Sequence, residues 1–129
     1  MDLGIRGKVA IVTGASAGVG RAIAREFAEN GADIVLVARG AERLEAATTE
    51  ITTRYGVRTL AIPADVAIAE TPVRIVEAAI REFGRIDILV NNAGRAHAGG
   101  MMQTTEADWA EMTATKFSAM RRFCRAVLP

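Results

Sequence analysis

The sequence predicts an α/β protein: a doubly wound parallel sheet with helices on both faces, formed by residues 1–129 as one domain. Three observations carry that expectation. Short apolar, β-branched runs recur along the chain and are too brief for helices. Each is followed by a longer amphipathic stretch with cap signals at its ends. The first of these junctions is rich in glycine, Thr13-Gly14-Ala15-Ser16-Ala17-Gly18-Val19-Gly20.

Taken in order, the first strand is Val9 to Val12, and the helix after it presents Val19, Ile23 and Phe27 on one face, with Arg21, Arg25, Glu26 and Glu29 elsewhere. Asn30-Gly31 closes that helix, with glycine just past the C-cap. Ala32 to Ala38 is the second strand. Ala41 to about Tyr55 is a helix with Leu44, Ala47 and Ile51 inward. Val57 to Ile62 is the third strand. Thr71-Pro72 supplies the N-cap and N1 residues of the next helix, which Phe83-Gly84 ends. Ile86 to Val90 is the fourth strand, and Thr105 with Asp108 reads as a capping box opening a last helix toward Pro129. Right-handed crossovers between parallel strands then give the order 3-2-1-4.

Composition agrees. A chain of 129 residues buries enough surface for one core, roughly two thirds of what it exposes unfolded. Half the residues are hydrophobic and few are aromatic, as buried parallel strands require. The net charge of +1 gives no reason to expect nucleic acid or a membrane surface as partner. No segment has transmembrane length, and the start lacks a signal-peptide core. Cys124 is the single cysteine, which excludes an internal disulfide and fits a reducing cytoplasm. No metal-ligand spacing is present.

The glycines of the first junction have separate jobs. Gly14 takes the positive φ of a tight turn, Gly18 lets backbone approach a pyrophosphate, and Gly20 lets helix and strand pack closely. The helix N-terminus, with its free N–H groups and dipole, attracts phosphate, so Ser16, Ala17 and Val19 join the candidate contacts. A turn serving packing alone is the bland alternative.

Thr-Gly-x-x-x-Gly-x-Gly resembles the pattern of the short-chain dehydrogenase/reductase family. Asn91-Asn92-Ala93-Gly94 after the fourth strand and Asp65-Val66 after the third strengthen the likeness, in the expected order. The resemblance implies a Rossmann-type fold and an NAD(P)-dependent oxidoreductase that transfers hydride between nicotinamide and a small carbonyl or alcohol substrate. It places Asp65 and Val66 against the adenine, and Asn92, Ala93 and Gly94 along the nicotinamide-side ribose. Asn91 and Thr13 are given mainly structural roles; Asp65 as a turn residue stays open.

Cofactor choice turns on the end of the second strand. An acid there would favour NAD, but the sequence offers Ala38-Arg39. Bidentate bonds from Arg39 to a 2′-phosphate, about 1.5–3 kcal/mol, would give roughly tenfold to a hundredfold preference for NADP(H) over NAD(H). A solvated, unpaired arginine is the alternative.

The family's catalytic serine, tyrosine and lysine are expected on a fifth strand and its following helix, which these residues do not include. Tyr55, the single tyrosine, has no lysine four residues on and lies in the wrong element. The 129 residues are therefore read as a truncated, cofactor-binding half without turnover of its own. A non-catalytic dinucleotide-binding module and an inactive fragment are the competing readings. Lys116 stands where the family most often has an asparagine of a proton relay. It shares an apolar face with Trp109, Met112, Met120, Phe123 and Val127, so a modified relay and a stem that snorkels to water both remain open. His97 reads as an exposed, inert loop residue, Met101, Met102, Met112 and Met120 as core or interface filler, and Cys124 as helix packing. An exposed strand edge beside Val90, with Met112, Met120 and Phe123 of the last helix, predicts a homo-oligomer.

Overall fold

In the computed structural model, which describes residues 2–94 and 100–128, the apolar runs form one four-stranded parallel sheet. The strands β1 (Val9–Thr13), β2 (Asp33–Ala38), β3 (Thr59–Pro63) and β4 (Ile88–Val90) stand in the order β3-β2-β1-β4. Helices α1 (Gly18–Glu29), α2 (Ala41–Tyr55) and α3 (Thr71–Phe83) connect them. After β4 come α4 (Glu106–Thr113), a π-helical turn (Ala114–Ser118) and α5 (Ala119–Val127). This is the expected Rossmann-type arrangement. His97 and Pro129 lie outside the described residues.

Alternation along the strands sends side chains to two cores. Ala10, Val12, Ile34 and Leu36 join Ala24, Leu44 and Ile51 beneath α1 and α2. Val9, Ile11, Val35 and Val37 pack on the opposite face with Ile75, Val76 and Phe123 of α3 and α5. With both faces covered, the strands β1 and β2 are buried throughout, which is why they read as unbroken apolar runs. The Phe123 ring is 1% exposed and fastens α5 to this core; its truncation to alanine would cost about 3–5 kcal/mol.

Four local expectations need correction. The buried line of α1 is Gly20, Ala24 and Ala28, while Val19 is 68% exposed. Small residues face the sheet, so the helix approaches closely and its larger side chains flank the contact. In α3 the N-cap is Glu70, without a side-chain capping bond, so Thr71 and Pro72 each sit one position further into the helix than expected. Thr71 is buried at 4% exposure and its amide bonds the Ile68 carbonyl.

The single apolar face expected along the last helix is also broken. The wider π turn adds a residue to one loop of the helix and rotates the turns beyond it. Lys116 and Met120 lie exposed, as does Trp109 before the turn, whereas Ala119 and Phe123 are buried. Finally, β2, β3 and β4 begin one or two residues late, where carboxylates meet backbone. Asp33 Oδ1 accepts from the Arg58 amide at 2.9 Å, and its Oδ2 accepts from the Arg58 guanidinium at 3.0 and 3.2 Å. Asp87 Oδ2 accepts from the Val9 amide at 2.9 Å, and Arg85 pairs with both of its oxygens. The Arg85 guanidinium therefore holds the Asp87 carboxyl below its ordinary value, with the Val9 amide adding to the effect. These pairs fix the N-terminal edge of the sheet.

Candidate functional site

At the C-terminal edge, one hydroxyl gathers two loops. Thr13 closes β1 at 2% exposure. Its Oγ1 donates to the Val90 carbonyl at 3.3 Å and accepts from the Asn92 and Ala93 amides at 3.0 and 2.9 Å. One donor and two acceptors exhaust what a hydroxyl offers. The Asn92 side chain then donates to the Gly14 carbonyl at 3.3 Å. Asn92 thus bridges the two loops, whereas the Asn91 amide reaches Cys124 Sγ at 3.7 Å on α5.

The glycines are explained by what surrounds them. Gly14 has φ +66°, and a Cβ there would meet Asn92 Nδ2 at 2.8 Å and the Ala93 backbone at 3.1 Å. A Cβ on Gly20 would fall 2.1 Å from the Gly14 carbonyl oxygen and 2.4 Å from Asn92 Nδ2. No side chain fits there. The close approach expected of Gly20 is thus made to the turn and the Asn92 loop. Gly18 is the opposite case: φ is +56°, and nothing lies within 4 Å of where its Cβ would point. The backbone before α1 is open on that side.

The start of α1 is also uncapped. Ala17 provides no side-chain acceptor, and the first turn holds no acid. At α4, by contrast, Thr105 and Asp108 form the expected capping box, and Glu106 adds a second acid to the first turn. The N–H groups opening α1 are left for an external anion, which is the arrangement a pyrophosphate requires.

A cleft runs along the strand ends. Gly14 and Ser16 line it with Arg39 and Arg43, from the end of β2 and the first turn of α2. Val66, Ala93, Gly94 and Thr115 line it further along. Arg39 stretches toward α4, where its Nη1 stands 4.0 Å from Glu111 Oε1, so it is not the unpaired arginine of the alternative reading. Arg43 is a lining cation that sequence reasoning missed; its place four residues after Arg39, at a helix start, was the available signal. Asp65 Oδ1 accepts from the Ala67 amide at 3.0 Å and shapes its own turn, while its neighbour Val66 is buried beside the cleft.

Lys116 is exposed, yet its stem lies beside Gly94. A Cβ on Gly94 would stand 3.1 Å from Lys116 Cδ and 3.3 Å from Nζ. The π turn that carries Lys116 coincides with a bond from the Thr115 hydroxyl to the Glu111 carbonyl, 2.9 Å. Tyr55 sits on α2, packed against the core beneath α1 and α2. Among the described residues no cluster of His, Cys, Asp or Glu could hold a metal ion. No described helix is long and apolar enough to cross a membrane.

Residues 8–129 match the short chain dehydrogenase family model. The chain belongs to that family. Among solved structures, the chain is similar to the L-sorbose reductase of Gluconobacter frateurii complexed with NADPH and L-sorbose. The two are 43% identical with a TM-score of 0.95, over 100% of this chain and 49% of the other. An NAD+-bound xylitol dehydrogenase superposes with a TM-score of 0.89 at 32% identity, over 95% and 47%. The D-threitol dehydrogenase of Mycolicibacterium smegmatis is 39% identical over 126 residues, 98% of this chain and 48% of that protein. The chain spans about half the length of the curated relatives it matches.

Proposed function

We propose that these residues are the cofactor-binding half of an oxidoreductase that moves hydride between NADP(H) and a small carbonyl or alcohol. The observation that carries the reading is the junction of Gly14, Gly20 and Asn92 beneath an uncapped α1. Two loops are held at backbone distance there, and helix N–H groups are left without partners. Gly14, Ser16, Ala17, Gly18 and Val19 would face the pyrophosphate, with Gly20 holding the turn against the helix. Val66 and Asp65 would bound the adenine, and Asn92, Ala93 and Gly94 the nicotinamide-side ribose. When bound, the dinucleotide supplies the hydride donor or acceptor.

Preference for NADP(H) is supported by Arg39 at the end of β2, where no carboxylate stands to bind a ribose hydroxyl. The family includes both an NADPH-bound and an NAD+-bound neighbour, so the preference belongs to the residues of this cleft. The substrate class rests on relatives named for L-sorbose, xylitol and D-threitol. Lys116, beside Gly94, is assigned to the relay position, able to donate a proton toward the cleft but not to accept as an amide does. Tyr55 lies in another element, so the 129 residues alone are expected to bind cofactor without turning substrate over. The exposed Trp109, Phe117 and Met120 are assigned to contact with a second copy. The one cysteine fits a cytoplasmic setting.

NADPH fluorescence titration tests the site. Gly18→Val puts a branched side chain on the open approach at positive φ, with backbone strain of about 1–2 kcal/mol. Affinity is expected to fall more than tenfold, with thermal unfolding run alongside to show that the fold persists. Unchanged affinity in a folded variant would remove pyrophosphate binding from this turn.

A further inference from the structure

The cleft has two arms, and the second ends beside a lysine. From the N-terminus of α1, one arm runs past Arg39, Arg43 and Val66, and the other past Ala93, Gly94 and Thr115. A dinucleotide whose pyrophosphate meets α1 sets its adenosine ribose at the end of β2. Its nicotinamide half then takes the other arm, toward Gly94. Lys116 lies directly beside that glycine. A Cβ on Gly94 would stand 3.1 Å from its Cδ, 3.3 Å from Nζ and 3.7 Å from Cε, so stem and ammonium both occupy the place of a missing side chain. Thr115, the residue before it in the π turn, lines the cleft itself. Lys116 enters no ion pair among the described residues, and no carboxylate is among those lining the cleft. Glu111, the acid that precedes it on the helix, lies on the Arg39 side.

Hydride transfer changes the charge of the ring that the hydride leaves. A dihydronicotinamide is uncharged; once its hydride has gone to a carbonyl carbon, and a proton to the oxygen, the ring is a cation. A fixed ammonium nearby opposes the cation and leaves the neutral ring alone, an effect of charge that needs no contact. We propose that Lys116 tilts this site toward the reduced cofactor, so that the chain retains NADPH, releases NADP+ and favours carbonyl reduction over alcohol oxidation. This rests on the proposed dinucleotide site. It goes beyond proton donation, because the role belongs to the charge of Lys116, which an amide at the same position lacks.

Calorimetric titration of the full chain with NADPH and NADP+ provides the test, using Lys116→Gln and Lys116→Arg. The readout is the NADP+ to NADPH ratio of Kd values, in which contacts common to both forms cancel. Across a few ångströms of largely aqueous surroundings, one unit charge is worth about three- to fivefold in that ratio. Lys116→Gln is expected to lower the ratio by that factor, and Lys116→Arg to preserve it. Raising salt from about 0.02 M to about 0.5 M should shrink the ratio in the unaltered chain and leave the glutamine variant nearly flat, because an exposed charge is screened. An unchanged ratio in Lys116→Gln, or the same fall in Lys116→Arg, would overturn the assignment. If the unaltered chain binds NADPH and NADP+ alike, dinucleotide binding stands and this inference fails. If it binds neither, the dinucleotide reading fails first.

Discussion

At the N-terminal ends of the strands, Asp33 and Asp87 are each bound to an arginine and a backbone amide, so charge there is spent on holding strands in register. At the C-terminal ends the chain is joined by uncharged groups, the Thr13 hydroxyl and the Asn92 amide, and the cations around them look into a cleft. One edge satisfies itself. The other holds its loops at backbone distance and leaves helix N–H groups and Arg43 without a protein partner among the described residues. The difference explains why a parallel sheet with similar packing on both faces has only one edge suited to an anionic ligand.

The sharpest way to break this contrast is Gly20→Ala. A methyl group 2.1 Å from the Gly14 carbonyl must push the turn away from α1. Dinucleotide affinity is expected to fall more than tenfold, and stability by about 2–3 kcal/mol, an overpacking cost. Urea unfolding and NADPH titration measure the two effects. Thr13→Val keeps the shape and removes the hydroxyl, stranding the Ala93 amide, while the Asn92 amide keeps its bond to the Val90 carbonyl. A loss of about 2 kcal/mol is expected, with faster exchange at the Ala93 amide.

Changes at the other edge sharpen the comparison by leaving binding alone. Asp33→Asn weakens a pairing in which Arg58 is two-thirds exposed and regains its hydration. It should cost about 1 kcal/mol in urea unfolding, with NADPH affinity unchanged. A selective loss of affinity would mean that the N-terminal edge takes part in binding. Acid titration gives the smallest effect. The Asp87 and Glu50 carboxyls are held low by Arg85 and Arg21 respectively. A depressed folded pKa stabilises above the unfolded value and loses that contribution as pH falls through the folded one. Urea midpoints should therefore drop below about pH 4, and Asp87→Asn should flatten part of that decline.

Much of this was legible because parallel strands buried on both faces leave unmistakable apolar runs, and because Gly14, Gly18 and Gly20 mark where backbone must bend or approach. The capping box of Thr105 and Asp108 was legible for the same reason: it is local chemistry at fixed spacing. The features that escaped depend on distant partners. The exposure of Val19 follows from the small Gly20-Ala24-Ala28 line meeting the sheet, which periodicity weighted by residue size misses. The π turn has no compositional mark, so the phase shift that separates Lys116 from Phe123 could not be read. The meeting of Thr13 with Asn92, and of Arg39 with Glu111, joins residues more than seventy positions apart.

Amide hydrogen exchange with and without saturating NADPH compares the two edges in one measurement. A dinucleotide cradle at the C-terminal edge predicts slower exchange across residues 13–20 and 91–94, with the Val9 and Arg58 amides unchanged. Protection concentrated at Val9 and Arg58, or none anywhere at saturation, would contradict it.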